Sequence, residues 1–239
     1  MVVALLTAAG TGTRMHQDIP KQFIHVDDKP IIIHTMEAFQ NHPSVDAIIV
    51  VTLESWSGVL WAYAKQFGIT KLRWVVPGGE TGQDSIRNGL DALLQETDDP
   101  DNVVVMVHDG NRPLISSEII SNSLAVYEQY GNAVAVIPCT EVVFKSTDGV
   151  SSHESTPREL LFRTQTPHTY KLMDLYNAHI EAKNKGIKGT AASCMLMKEL
   201  GRETYFSKGS EENIKITTLD DLKIFKALLH TKQESWIKE

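Results

Sequence analysis

Residues 2–15 read VVALLTAAGTGTRM, and Pro20-Lys21-Gln22 follows shortly after. The apolar run at residues 2–6 opens into a turn built on Gly10 and Gly12. A strand that ends in such a turn presents bare backbone N–H groups where a phosphate chain can approach closely. The turn also carries a guanidinium at Arg14 and, seven residues on, an ammonium at Lys21. Its first carboxylate is Asp18. Two cations set on backbone donors suit a polyanion, and a nucleoside triphosphate is the natural candidate.

Other glycine loops fit less well. A dinucleotide loop needs Gly-x-Gly-x-x-Gly, and the third glycine is replaced here by Met15. This counts against a nicotinamide dehydrogenase. A P-loop needs Gly-Lys-Ser/Thr after four spacers, and none follows Gly10 or Gly12. The glycines alone would suit an ordinary strand-to-helix turn; the cations turn the reading toward function.

Outward from this turn, apolar runs alternate with helical patterns. Strands are expected at residues 2–6, Ala47–Thr52, 72–76, 103–108 and 133–138. Helices are expected at Ile31–Asn41, 55–66, 85–94 and 116–130. Near-continuous Val/Ile runs suit a sheet buried on both faces, and β–α alternation implies mostly parallel strands. Ligands of such sheets sit beyond the carboxyl ends of the strands, which aligns the loops at residues 8–21, 77–85 and 109–113. Residues 141–159 are polar, with Asp148-Gly149 between two extended segments, as in a β-hairpin or arm. Helices near 171–183, 190–200 and 219–229 and a short strand at 204–207 complete the chain.

Composition narrows the class. The chain has 239 residues, a net charge of −7 and 42% apolar residues. A sizeable core can form, and broad nucleic-acid or anionic-membrane binding is disfavoured. Cys139 and Cys194 are the two cysteines, too few for a disulfide framework and not spaced as a zinc site. The start MVVALLTAAG lacks a basic leader and no stretch is long enough to span a bilayer. The expectation is a soluble, cytoplasmic protein.

Three further segments could carry chemistry. Gly78-Gly79-Glu80 with Asp84-Ser85 follows the third strand, where paired glycines let a flat base approach and Glu80 and Ser85 offer polar groups. Asp84 or Ser85 also suits a helix N-cap. His108-Asp109-Gly110-Asn111-Arg112-Pro113 ends the fourth strand; Asp109 is a natural Mg²⁺ or hydroxyl ligand, and Arg112 can meet a phosphate bidentately. Lys215 sits in the alternating, strand-like Asn213-Ile214-Lys215-Ile216-Thr217, where its spacing alone indicates a solvated lysine.

Together, AAGTGTRM, PKQF, PGGETGQDS, HDGNRP, RTQTP and NIKIT resemble, in order and spacing, the cytidylyltransferases that act on polyol phosphates. That group includes 2-C-methyl-D-erythritol 4-phosphate and ribitol-5-phosphate cytidylyltransferases. The resemblance implies a single Rossmann-like α/β nucleotidyltransferase domain over residues 1–239. It further implies a mostly parallel sheet, a protruding β-arm that dimerises the protein, and Mg²⁺ as cofactor. The substrates would be CTP and a polyol phosphate. Ala8, Ala9, Gly10 and Gly12 would hold the nucleotide through the turn, and Arg14 and Lys21 would grip the triphosphate. Gly79, Glu80 and Ser85 would hold the cytosine end. Asp109 would contact a substrate hydroxyl or assist the metal, and Lys215 would touch the α-phosphate. Arg112, Arg158 and Thr166 would bind the polyol phosphate, Arg158 from the arm in the neighbouring subunit's site.

Three positions depart from the family pattern: Val142 after Glu141, where relatives usually carry Thr; Gly189-Thr190-Ala191-Ala192, where they read Thr-Asp-Glu/Ala; and Gly82, often Arg. The first two raise a non-catalytic nucleotide-binding regulator as an alternative. GTGTRM, KPIIIHT and IKITTLDDLK look closer to the ribitol-5-phosphate branch, which implies precursors of teichoic acid or capsule. The isoprenoid-pathway acceptor is the alternative. The chemistry needs no Ser-His-Asp arrangement, because a phosphate monoester with a second pKa near ~6 is already a nucleophile at neutral pH.

Overall fold

A computed structural model describes residues 1–10 and 19–231. Gly12 and Arg14 therefore lie outside the described residues. The apolar run becomes β1 (Val2–Ala8), with Val3, Leu5 and Ala4, Leu6 fully buried on alternate faces. Its neighbours are the equally apolar β4 (Ala47–Thr52) and β6 (Val104–Asp109), both parallel to it. β5 (Leu72–Pro77) extends the sheet in parallel beyond β4. On the other side lie β7 (Asn132–Pro138), β10 (Phe162–Lys171) and β11 (Phe206–Lys208), in the order β11-β7-β10-β6-β1-β4-β5. β10 runs antiparallel to both β6 and β7, and every other pairing in this sheet is parallel.

Helices cover both faces, as a sheet with apolar side chains on each face requires. Ala4 and Leu6 pack with α1 (Ile31–Asn41), α2 (Ser57–Gln66) and α4 (Ser117–Tyr130) through Met36, Phe39, Leu60 and Ile120. Val3 and Leu5 pack with α3 (Gly82–Glu96), α5 (Leu172–Asn184) and α6 (Ser193–Glu199) through Leu90, Leu175 and Leu196. Truncating one of these fully buried leucines to Ala would cost about 2–5 kcal/mol. A closing α7 (Leu219–His230) buries Phe225 against Val26, Ile31 and Ile216. A small hairpin, β2 (His25–Val26) with β3 (Lys29–Pro30), leads into α1. None of the described helices is long and apolar enough to cross a membrane.

The segment at 141–159 contains a separate two-stranded hairpin, β8 (Val143–Lys145) antiparallel to β9 (Glu154–Thr156), exposed throughout. Gly149 takes φ +71° in its turn, a conformation glycine adopts without strain.

Four local expectations are corrected. β10 was hidden because its buried middle is polar: Gln165, Thr166, His168 and Thr169 replace the apolar alternation of an ordinary strand. Thr169 is satisfied by Ser123, their hydroxyls 2.7 Å apart. α3 starts earlier than residue 85, since Thr81 is its N-cap and Asp84 completes a capping box from within the first turn. α6 is shorter than the expected 190–200. Residues 213–217 form no strand in the sheet; Asn111 pins them instead, exchanging hydrogen bonds with the Ile216 backbone.

Candidate active site

The carboxyl ends of β1, β5 and β6 and the polar part of β10 open on one cavity of about 480 Å³, within the usual range for small-molecule sites. Its first wall is the end of β1 with the start of the short 3₁₀ helix Lys21–Phe23. Ala8, Ala9 and Gly10 line it, and so does Lys21. This wall is held from behind by Gln22, 2% exposed, whose side-chain amide donates to the Ala8 carbonyl and, at 3.3 Å, to that of Gly10. Gln22 is a site residue that sequence reasoning missed. The one signal was its place directly after Lys21.

The second wall is the β5–α3 loop. Gly79, Glu80, Thr81, Gly82 and Ser85 line it. A Cβ on Gly78 would collide with Ala9, and one on Gly79 with Asp84. The paired glycines thus let this loop close onto the first turn and onto its own helix. Ser85 is buried, accepting from the Gly79 N–H at 3.1 Å and donating to the Thr81 carbonyl at 2.9 Å. Glu80 stands exposed at the rim.

The third wall carries the charges. Asp109, at the end of β6, has a side chain 16% exposed. Its Oδ2 accepts from Arg112 Nε at 2.9 Å and its Oδ1 from Lys215 Nζ at 2.8 Å. Burial raises its pKa, but the Lys215 ammonium and the Arg112 guanidinium outweigh burial and hold the carboxyl below its ordinary range. Arg112 Nη1 also donates to the Asn213 carbonyl at 2.7 Å, tying the 213–217 segment to this loop.

Behind Asp109 lies a short relay of hydrogen bonds. His108 is fully buried, and its Nε2 lies 3.2 Å from the Arg112 carbonyl. A carbonyl only accepts, so Nε2 carries the proton and Nδ1 accepts from the Thr166 hydroxyl at 2.9 Å. Thr166 Oγ1 in turn accepts the Asp109 N–H at 3.1 Å. Burial lowers the His108 pKa to about 3, so the ring stays neutral and the relay keeps one direction. Thr166 lines the cavity, yet its hydroxyl is engaged in positioning Asp109. Asn213 anchors the same strand, donating to the Thr166 carbonyl at 2.9 Å.

The expected residues therefore gather, with one exception among those described. Ala8, Ala9, Gly10, Lys21, Gly79, Glu80, Ser85, Asp109, Arg112, Thr166 and Lys215 line a single cavity. Arg158 does not; it is exposed beside the hairpin, donating to the Thr140 carbonyl at 3.3 Å and paired with Glu159. Lys21, Arg112 and Lys215 face Glu80 and Asp109, so positive charge prevails locally in an acidic chain. Ala191, Ala192, Ser193 and Met195 line the cavity as well; the sequence marked 189–192 as a departure from the family pattern on the polyol side and gave Ser193 and Met195 no role.

A mostly parallel α/β sheet with a glycine-loop backbone and two sequence-distant lysines around one cleft is the arrangement a nucleotidyltransferase needs. The family model described as IspD, 2-C-methyl-D-erythritol 4-phosphate cytidylyltransferase, matches residues 2–231. The chain belongs to this family. Ribitol-5-phosphate cytidylyltransferase of Lacticaseibacillus paracasei is 40% identical over 98% of this chain and 100% of its own length. The 2-C-methyl-D-erythritol 4-phosphate cytidylyltransferase of Clostridium botulinum is 36% identical over 91% of this chain and 93% of its own. Among solved structures, the Francisella tularensis 2-C-methyl-D-erythritol 4-phosphate cytidylyltransferase superposes with a TM-score of 0.75. It is 26% identical and covers 95% of this chain and 98% of its own. The 4-diphosphocytidyl-2C-methyl-D-erythritol synthase of Anaerococcus prevotii, at 23% identity, shares the fold with a TM-score of 0.82 over 96% of each chain.

Proposed function

We propose that this chain transfers CMP from CTP to the phosphate of an alditol, most readily ribitol 5-phosphate, releasing pyrophosphate. One observation carries the reading: Lys21 and Lys215, from opposite ends of the sequence, line the same cavity as the β5–α3 loop and Asp109. The higher identity to the ribitol-5-phosphate relatives favours that acceptor over 2-C-methyl-D-erythritol 4-phosphate.

In this reading the backbone of Ala8, Ala9 and Gly10 and the loop at Gly79, Glu80 and Ser85 hold the nucleotide. Lys21 grips the triphosphate, a role the sequence reading gives also to Arg14, which lies outside the described residues. Lys215 meets the α-phosphate, and Arg112 meets the acceptor's phosphate, both aligned by Asp109. An oxygen of the acceptor phosphate attacks the α-phosphorus, the bond from that phosphorus to the β-phosphate oxygen breaks, and pyrophosphate leaves. No base is required, so the protein's task is to align two polyanions and stabilise charge by fixed cations.

Mg²⁺ suits this site as a companion of the triphosphate. Among the described residues no cluster of three or more His, Cys, Asp and Glu could hold a metal. Mg²⁺ needs few protein ligands when phosphates share it, and Asp109 and Glu80 are the carboxylates at hand. When bound, it would neutralise phosphate charge. A homodimer is the companion reading for the hairpin: Val142, Phe144 and Leu160 are 70%, 66% and 73% exposed there, an apolar surface a second copy would cover. Arg158, outside its own chain's cavity, would then serve the neighbour's.

The test is pyrophosphate release from CTP, ATP, GTP and UTP with a panel of ribitol 5-phosphate, 2-C-methyl-D-erythritol 4-phosphate and glycerol phosphates. Release with CTP and ribitol 5-phosphate supports the reading; no release with any acceptor refutes it.

A further inference from the structure

Lys215 is one of the two described lysines on which the proposed chemistry rests, yet it sits on no strand or helix. It lies in the stretch between β11 and α7, residues 209–218. Such a stretch has no ladder to satisfy or fix its backbone, so other groups must do both. Asp109 holds the ammonium itself. Arg112 and Asn111 hold the carbonyls of Asn213 and Ile216 on either side of it. The earlier half of the stretch is set by one side chain of β10, Gln165, which is 6% exposed.

The ladder between β10 and β7 shifts register between Thr164 and His168. An irregularity of this kind re-aims a side chain beside a site. Here the Gln165 carboxamide meets Ser210: Nε2 donates to the Ser210 carbonyl at 2.8 Å, and Oε1 accepts the Ser210 N–H at 3.2 Å. The side chain thus pairs with residue 210 as the backbone of a neighbouring strand would. Oε1 takes a second donor, Asn213 Nδ2, at 3.3 Å. Asn213 is fully buried and also donates to the Thr166 carbonyl at 2.9 Å. Lys215 follows two residues later.

Glutamine suits this role by length and by chemistry. A backbone N–H only donates and a carbonyl only accepts, so the carboxamide has one orientation. A carboxylate could take the two donors but could not supply the third bond. The approach is also close: a Cβ on Gly209 would stand 2.5 Å from Gln165 Oε1 and 3.0 Å from the Val136 carbonyl oxygen. The stretch leaves the sheet at Gly209, whose N–H donates to that same Val136 carbonyl at 2.9 Å.

We propose that Gln165 is a positioning residue for Lys215. It fixes the course of residues 209–213 and, through Asn213, the point from which the Lys215 ammonium reaches the α-phosphate. The inference rests on the cytidylyl-transfer reading above and names the residue that aims its second lysine. Gln165 also lines the cavity, so direct contact with a substrate is the rival role. Its three bonds leave one N–H for that purpose.

The experiment measures pyrophosphate release from CTP and the polyol phosphate the parent chain uses best. The variants are Gln165→Met and Gly209→Ala, each alone and combined with Lys215→Ala. Gln165→Met keeps the length of the side chain and removes its hydrogen bonds; Gly209→Ala displaces the carboxamide from outside. Each should lower kcat by roughly 10- to 100-fold, the scale of a misplaced catalytic group, with both KM values nearly unchanged. Combined with Lys215→Ala, neither should lower kcat beyond Lys215→Ala alone, because the group they aim is gone. A further fall in that background would overturn the assignment, since Gln165 would then act independently of Lys215. A rise in either KM at unchanged kcat would overturn it too, as the mark of direct substrate contact. Should Gln165→Met fail to fold, Gly209→Ala decides by the same two comparisons. Both adverse results leave cytidylyl transfer standing. A parent chain that releases no pyrophosphate with any polyol phosphate removes that reading, and this one with it.

Discussion

Lys215 Nζ lies 2.8 Å from Asp109 Oδ1 although the two residues are 106 positions apart. The other carboxylate oxygen takes Arg112 Nε at 2.9 Å. One carboxylate therefore spaces two cations across the floor of the cavity. Asp109→Asn keeps the shape and removes the charge. Turnover should fall by roughly 10- to 100-fold, the worth of charge-assisted hydrogen bonds, measured as pyrophosphate release. Full turnover would show that Asp109 does not position the two cations.

Lys21 lines the cavity from the start of a short 3₁₀ helix, Lys21–Phe23. In the proposed chemistry it faces charge that develops on the departing pyrophosphate. Lys21→Ala should lower kcat by about 10²–10³, as for a lost oxyanion donor, while circular dichroism shows an intact fold. An unchanged kcat would exclude Lys21 from the charge stabilisation.

Thr166 donates to His108 and accepts from the Asp109 N–H. Thr166→Val keeps the volume and strands both partners, each costing about 1–3 kcal/mol if left unpaired. The melting temperature should drop by roughly 2–4 °C for each kcal/mol in a chain of this size. Calorimetry that finds the parent's melting temperature would refute the relay.

Burial lowers the pKa of His108 to about 3 and those of His168 and His179 to about 4, from an ordinary 6.5. Between those values the unfolded chain binds protons that the folded chain refuses, so stability rises with pH. Stability should thus be intact above pH 6.5 and fall as pH drops toward 4, by ~1.4 kcal/mol per unit for each fully differing histidine. Urea titrations at pH 7, 6 and 5 would show it; equal midpoints would mean that these rings are protonated in the fold. Asp109, held low by Lys215 and Arg112 against its burial, adds a loss in the same direction below its ordinary range.

What the sequence revealed follows from where apolar patterning and function coincide. β1, β4 and β6 were legible because a strand buried on both faces must be a continuous apolar run. The Asp109 and Arg112 pairing was legible because it is local, at the end of such a run. β10 was not, since its buried middle is polar and Gln165, Thr166 and Thr169 spend their side chains on hydrogen bonds. Lys215 looked like a solvated lysine because its partner lies on β6, a relationship that spacing cannot express. Gln22 carries no periodic signal, and its contact with the Ala8 and Gly10 carbonyls is visible only in three dimensions. Thr81 was within reach, as Thr81-Gly82-Gln83-Asp84 has the spacing of a capping box.

The most direct measurement follows oxygen. Ribitol 5-phosphate carrying ¹⁸O in the three terminal positions of its phosphate, incubated with CTP and this protein, should yield CDP-ribitol that retains all of the label and pyrophosphate that holds none. Label in the pyrophosphate, or no CDP-alditol from any polyol phosphate tested, would contradict attack by the acceptor's phosphate on the α-phosphorus.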